Sequence, residues 1–118
     1  IYPWGDEWDA AKANSVEGRV QKTSPVGAYT AAGNLGPFET EDQSGNVWNW
    51  TSSLYLPYPY DAEKSEVAEA EGERILRGGS WFDDRRFLRA AARFRNVPDN
   101  FYNGIGFRLL SPGSVSGS

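Results

Sequence analysis

The sequence predicts a loop-rich α+β fold with a few short strands and at most a turn of helix. Gly, Pro, Asn or Asp interrupts the chain roughly every ten residues. No stretch repeats apolar residues at helical spacing over several turns. Aromatic and β-branched residues gather instead in runs short enough to be single strands.

The elements follow in chain order. "IYPWGDEWD" mixes aromatic with turn residues, and "SPVGAYT" reads as a short extended piece. "SGNVWNWTSSLY" sets an aromatic strand after a glycine turn. "DAEKSEVAEAEGER" is acidic and reads as a solvated connection, with a helical turn as the alternative. "RILRGGSW" is a strand ended by a glycine pair, "FLRAAARF" a second and "GIGFRLL" a third. Strand geometry in "FLRAAARF" would put Ala90, Ala92 and Phe94 on one face and Arg89, Ala91 and Arg93 on the other. Residues 1–110 make the domain, and "SPGSVSGS", residues 111–118, is expected to be a flexible tail.

A chain of 118 residues with 39% hydrophobic content supports one domain with a modest core, and Trp4, Trp8, Trp48, Trp50 and Trp81 are expected to fill it. The absence of Cys and His removes disulfides, thiol nucleophiles, imidazole bases and zinc sites of the usual kind. Net charge is −4, yet residues 77–118 hold seven arginines against three aspartates. Those arginines are interspersed with aspartates and rings rather than clustered, so nucleic acid is not the expected partner. No apolar stretch is long enough to span a bilayer. "RGGS" and "AAGNLG" lack the lysine of a phosphate loop, and the Asn49-Trp50-Thr51 acceptor pattern is too short to carry weight. The adjacent Asp83 and Asp84 read as a solvated turn rather than a metal or general-acid site. Arg77, Arg89, Arg93 and Arg108 read as structural, in ion pairs or on backbone carbonyls.

"YPWGD", "PVGAY", "SGNVWNW", "LRGGSW", "LRAAAR" and "GIGFRLL", in that order, resemble the formylglycine-generating-enzyme type of C-type lectin fold. The resemblance implies an irregular C-type lectin-like fold with small antiparallel sheets and loops packed on tryptophans. It also implies a further N-terminal portion of the same protein, of which this chain would be the C-terminal part. Enzymes of the family oxidise a substrate cysteine with a cysteine pair shortly after the "GGS" element. Here that interval runs from Trp81 to Phe87 without a thiol, so the oxidase chemistry does not carry over. Relatives using non-haem iron need histidines, and this chain has none. The family's calcium site near "GNVWEW" uses a carboxylate where this chain has Asn49, so no cofactor is expected and calcium is left as the open possibility.

A narrower resemblance covers residues 77–108, which look like the variable region of the target protein of a diversity-generating retroelement. There, adenines of asparagine-type codons are randomised, an operation that cannot yield Lys, Glu, Gln, Met or Trp. None of these five occurs between Phe82 and Gly104, although Lys, Glu and Gln supply fourteen of the first 76 residues. At that rate the absence has a chance of about one in a hundred. The resemblance implies eleven ligand-binding variable positions: Phe82, Asp83, Asp84, Phe87, Ala92, Phe94, Asn96, Val97, Phe101, Tyr102 and Gly104. Asn96, Asn100 and Asn103 would have kept or regained the template residue.

The residues themselves point the same way. Phe82, Phe87, Phe94, Phe101 and Tyr102 sit among Asp, Asn, Arg, Pro and Gly, without the alternation of a core strand, and are expected on the surface. Rings offer large contact area for two torsions, and Asp, Asn and Arg offer directional hydrogen bonds. The sequence thus leads to a non-catalytic binding domain for a protein or other macromolecule. The rival is a degenerate or partial member of the enzyme family.

Overall fold

The computed structural model describes residues 1–109; the tail expected at residues 111–118 lies outside them. Four strands form one sheet: β1 (Trp48–Leu54), β2 (Arg74–Arg77), β3 (Arg93–Asn96) and β4 (Ile105–Gly106). Their order is β3-β2-β1-β4. β2 runs antiparallel to both β1 and β3. β4 departs from the all-antiparallel expectation, because it joins β1 in parallel through Trp48 with Ile105 and Asn49 with Gly106. The chain from β3 to β4 crosses the sheet before rejoining it, so the last strand arrives in the direction of β1.

β1 is the aromatic run that follows the turn at Gly45 and Asn46, both at positive φ, so the glycine acts as the strand's starting hinge. The strand bulges between Trp50 and Leu54, and the Thr51 hydroxyl donates to the Ile75 carbonyl within that irregularity. β2 is the apolar centre, with Ile75 and Leu76 buried. It ends at Gly78 and Gly79, whose φ values of +104° and +76° are glycine conformations. A Cβ on Gly79 would lie 2.7 Å from Leu88 Cδ1 and 2.8 Å from the Phe87 carbonyl. The pair therefore turns the chain and lets Leu88 close over the end of the strand.

Helix is scarce, as expected. The acidic segment is mostly exposed connection but begins with one helical turn, α1 (Ala62–Ser65), because the Asp61 side chain caps it by accepting from the Glu63 amide. Glu66 then ties the segment to β1 and the preceding loop, accepting from the hydroxyls of Ser52, Ser53 and Tyr60. Among the described residues four single turns of 3-10 helix complete the regular structure.

Three local expectations are corrected. "SPVGAYT" is a turn, since Ala28 N donates to the Pro25 carbonyl and Thr30 N to the Gly27 carbonyl. β3 starts at Arg93 rather than within "FLRA". The carbonyls of Ala91 and Ala92 are taken by the Arg77 guanidinium, and Ala92 N turns back to the Arg89 carbonyl. Alternation therefore holds for Arg93 and Phe94 but not for residues 89–92. Of the five tryptophans only Trp48 is buried. Trp4 and Trp8 instead gather with Tyr2 into a half-buried cluster, with ring centroids 5.3 to 5.9 Å apart.

The core comprises Ala13, Trp48, Ile75, Leu76, Leu88 and Ala92. So small a core leaves much of the fastening to polar groups. Asn34 clasps Ser44 through both amide atoms at 2.7 and 3.0 Å, and Asn46 clasps Ser24 at 2.9 and 3.2 Å. The buried Arg74 guanidinium donates to the carbonyls of Ser52, Val67, Ala68 and Ala70. Leu76→Ala is expected to lower unfolding free energy by about 2 to 5 kcal/mol. Gly79→Ala should also destabilise, through positive φ and the Leu88 contact. Urea unfolding of both variants checks this.

Candidate functional site

The loop after β2 and the strand β3 meet the chain before β4 around a concavity of about 390 Å³. Six of the eleven predicted positions line it: Phe82, Asp83, Phe87, Phe94, Tyr102 and Gly104. Asp84, Ala92, Asn96, Val97 and Phe101 do not. The wall also uses Asn103, expected to retain the template residue, and Trp48, Ser80 and Trp81, which the sequence did not mark as site residues.

The five rings are exposed, as expected: Phe82 by 71%, Phe87 by 41%, Phe94 by 42%, Phe101 by 90% and Tyr102 by 45%. Each is presented differently. Phe82 stands edge-on to Trp81 at 5.7 Å, and Trp81 is held by its indole N–H donating to the Asn103 carbonyl and its amide donating to the Asn46 carbonyl. Phe94 projects from β3 and rests on Trp48 at 5.6 Å, so its inner side touches the core while its outer side faces solvent. Phe87 ends the 3-10 turn Arg85–Phe87, with the Arg86 guanidinium 5.7 Å from its ring. Burial, and then the nearby Asp83 charge, pushes the Tyr102 hydroxyl above the usual phenol range.

The adjacent aspartates do separate jobs, and the expectation of a solvated pair is corrected. Oδ2 of Asp83 accepts from the Trp48 indole at 2.7 Å, the Ser80 amide at 3.0 Å and the Ser80 hydroxyl at 2.6 Å. Its carbonyl accepts from Val16 N at 3.0 Å. This carboxylate fastens the loop to the core tryptophan. Asp84 caps the following 3-10 turn through the Arg86 amide and pairs with the Arg86 guanidinium at 2.7 Å, which holds its carboxyl below the ordinary range. Ala92 and Gly104 are buried. A Cβ on Gly104 would stand 3.2 Å from Ser80 Oγ and 3.3 Å from the Tyr102 ring, so a larger residue there would push on the concavity wall. Val97 is exposed and Asn96 half-buried at the far end of β3, outside the concavity.

The four arginines assigned structural roles all donate to backbone carbonyls. Arg77 reaches Ala91 and Ala92, Arg89 reaches Arg86, Arg93 reaches Leu56, and Arg108 reaches Glu41 and Asp42. Arg93 is also flanked by Tyr55 and Tyr58, with ring centroids at 4.4 and 4.1 Å.

The residues around Asn49 do not fit calcium. Its amide nitrogen donates to the Val47 carbonyl at 3.1 Å, and Arg108 takes the carbonyls of Glu41 and Asp42. Oδ1 of Asn46 is taken by Ser24 N. N–H donors thus occupy the oxygens a hard cation would need. Oδ1 of Asp42 is buried and unpaired, as are Oδ1 of Asn14 and Oγ of Ser15, and burial raises the Asp42 carboxyl's pKa, but even these three oxygens fall short of the six to eight such an ion takes. Among the described residues no group of three or more Asp or Glu side chains could hold a metal.

Residues 1–112 match the sulfatase-modifying factor enzyme 1-like domain. The chain belongs to that family. It is 32% identical to the inactive C-alpha-formylglycine-generating enzyme 2 of Mus musculus, over 94% of this chain and 36% of that protein. It is 36% identical to the hercynine oxygenase of Mycolicibacterium thermoresistibile, over 98% of this chain and 29% of the relative. The chain thus spans about a third of the length of these curated relatives. Among solved structures, PvdO from Pseudomonas aeruginosa superposes with a TM-score of 0.68 at 26% identity, over 91% of this chain and 42% of that one. Treponema denticola variable protein 1 shares the fold with a TM-score of 0.66 at 21% identity, over 82% of this chain and 34% of that one. The expected fold of the formylglycine-generating-enzyme type is therefore the observed one. Among the described residues no helix is long and apolar enough to cross a membrane.

Asp83→Ala should cost about 2 kcal/mol or more, because the Trp48 indole and the Ser80 hydroxyl lose their charged acceptor. Asp84→Ala should cost about 1 kcal/mol, the worth of a cap. Thermal unfolding of both variants checks the order. Melting should also be unmoved by a chelator or by millimolar calcium; a rise of several degrees with calcium would contradict the fit made around Asn49.

Proposed function

We propose that this chain is a ligand-binding protein that displays a diversified surface on a scaffold of the formylglycine-generating-enzyme type, as the target of a diversity-generating retroelement. The observation that carries the reading is the coincidence of two independent facts about one stretch. Residues 82–104 omit the five residue types that randomised asparagine codons cannot produce, and the rings within it face outward rather than into the core. An ordinary surface loop has no reason to exclude Lys and Glu while exposing phenylalanine. Fold likeness to a protein named a variable protein supports the same reading.

Binding would rest on Phe82, Phe87, Phe94 and Tyr102 as anchors around the concavity, with Asn96, Val97 and Phe101 on the surrounding surface, while Asp83, Ala92 and Gly104 shape the site from beneath. The ligand is a protein or other macromolecule. The chain itself would not carry out the family's cysteine oxidation, since it offers neither thiol nor imidazole. The likeness to hercynine oxygenase favours a second reading, in which this is part of a larger member of the enzyme family and the chemistry belongs to residues outside this chain.

The gene separates the two. The first reading expects a neighbouring reverse transcriptase and a template repeat matching the codons for residues 77–108 except where the template carries adenine. Mismatches scattered over all four bases, or no repeat, would contradict it. Purified protein should also leave the cysteine of a sulfatase-type peptide unoxidised, with or without copper, as read by mass spectrometry against a protein-free control.

A further inference from the structure

Among the described residues that line the concavity, Asp83 alone is charged. Around it stand six rings: Trp48, Trp81, Phe82, Phe87, Phe94 and Tyr102. Oδ2 of Asp83 is taken by the Trp48 indole and the two donors of Ser80, whereas Oδ1 accepts no hydrogen bond among the described residues and is open to solvent. Burial first, and the Asp83 charge second, raise the pKa of the Tyr102 hydroxyl, so carboxylate and ring lie within electrostatic reach of each other.

Among the described residues no cation pairs with this carboxylate. Arg85 pairs with Glu17 at 2.9 Å, and Arg86, 5.7 Å from the Phe87 ring, pairs with Asp84 at 2.7 Å; neither arginine lines the concavity. Arg77 and Arg89 are committed to backbone carbonyls. Arg93 and Arg95 alternate with Phe94 along β3 and so lie on the other face of the sheet, where the Tyr55 ring meets both guanidinium groups. Asp99, on the loop leading to Tyr102, does not line the concavity either.

These features discriminate between occupants. A purely apolar side chain would cover Oδ1 and strip its water without replacing the lost hydrogen bonds, and an acidic one would be repelled. A short polar side chain would answer the carboxylate but leave the rings uncovered. A long basic side chain does both. Its methylene stem lies along the rings, and its head meets the carboxylate and the negative ring faces.

We propose that the concavity takes a lysine or arginine side chain of a partner protein, with Asp83 as its counter-ion and the rings as its walls. The inference rests on the reading of this concavity as a ligand-binding site, and adds the chemistry of the side chain that enters it. Because Trp48 and Ser80 hold Asp83, the charge stays in place while the exposed rings around it change.

The test selects random peptides of about twelve residues, displayed on phage, against the immobilised full chain. About ten independent binders are then made as selected and with each Lys or Arg replaced in turn by norleucine, which keeps an apolar stem without the charge. Their affinities are measured for the unaltered protein and for Asp83→Asn, Tyr102→Leu, Phe82→Ser and, as a charge control on α1, Glu63→Gln. Asp83→Asn keeps an oxygen for Trp48 and Ser80 while removing the charge. The expected result is that most peptides carry one basic residue whose replacement by norleucine weakens binding about tenfold, that Asp83→Asn causes a similar loss, and that the two changes together add little. Glu63→Gln should move affinity less than twofold. Tyr102→Leu should weaken the basic peptide more than its norleucine form, which keeps a readout if Asp83→Asn folds poorly. Suppose Phe82→Ser weakens the binders, which locates them at the concavity. If they then move less than twofold on norleucine replacement, or on Asp83→Asn at unchanged melting temperature, the basic occupant is overturned and the binding site stands. Equal losses with Glu63→Gln and Asp83→Asn would overturn it too, because the effect would then be one of net charge. Failure to obtain binders that Phe82→Ser weakens would overturn the reading of the concavity as a binding site, and this inference with it.

Discussion

The carboxylate of Asp83 joins the surface of this protein to its core. One oxygen accepts from the indole of the buried Trp48 and from both donors of Ser80, and the same residue's carbonyl receives Val16. Trp48 in turn lies under Phe94, and Ser80 lies beside Gly104. Trp48, Ser80, Phe94 and Gly104 of the concavity's wall are therefore within one or two contacts of this group. A charge-assisted set of bonds to a half-buried carboxylate is stiff and directional, which a loop following two glycines at positive φ would otherwise lack.

The rest of the molecule repeats that solution with other residues. A chain this size with one four-stranded sheet and a six-residue apolar core cannot rely on burial alone. Arginines and asparagines serve as partners for loop carbonyls and amides instead: Arg74, Arg77, Arg93 and Arg108 on carbonyls, Asn34 and Asn46 as two-sided clasps. Because these fastenings are made by side chains set beneath the exposed rings, the rings are free to change. That separation is what a diversified surface requires of its scaffold, and it also explains how Arg108 and Asn49 can order the 41–49 loop through N–H donors.

What the sequence made legible was what local chemistry decides. β1 and β2 follow from aromatic and β-branched runs bounded by glycine turns, and the exposure of Phe82 and Phe101 follows from their polar neighbours. The structural role of Arg77, Arg89, Arg93 and Arg108 was readable too, while the choice of carbonyls over ion pairs is made by the fold. What remained hidden depends on contacts across the chain. β3 starts late because Arg77, on β2, has claimed the carbonyls of Ala91 and Ala92. Trp4 and Trp8 are half-buried because they pack with Tyr2 near the surface rather than under the sheet. Asp83 looked like half of a solvated pair, and only the fold brings Trp48, thirty-five positions away, to its oxygen.

The central claim is that the rings of the variable stretch do not hold the fold, and guanidinium unfolding of two variants tests it most directly. Phe82, Phe87, Phe101 and Tyr102 replaced together with Ser should lose under about 2 kcal/mol, at roughly half a kcal/mol for each exposed side chain. Trp48→Ala, which removes the buried ring beneath them, should lose about 3 to 5 kcal/mol. A quadruple variant that unfolds at as low a denaturant concentration as Trp48→Ala would show that the rings are part of the core, and would contradict the account.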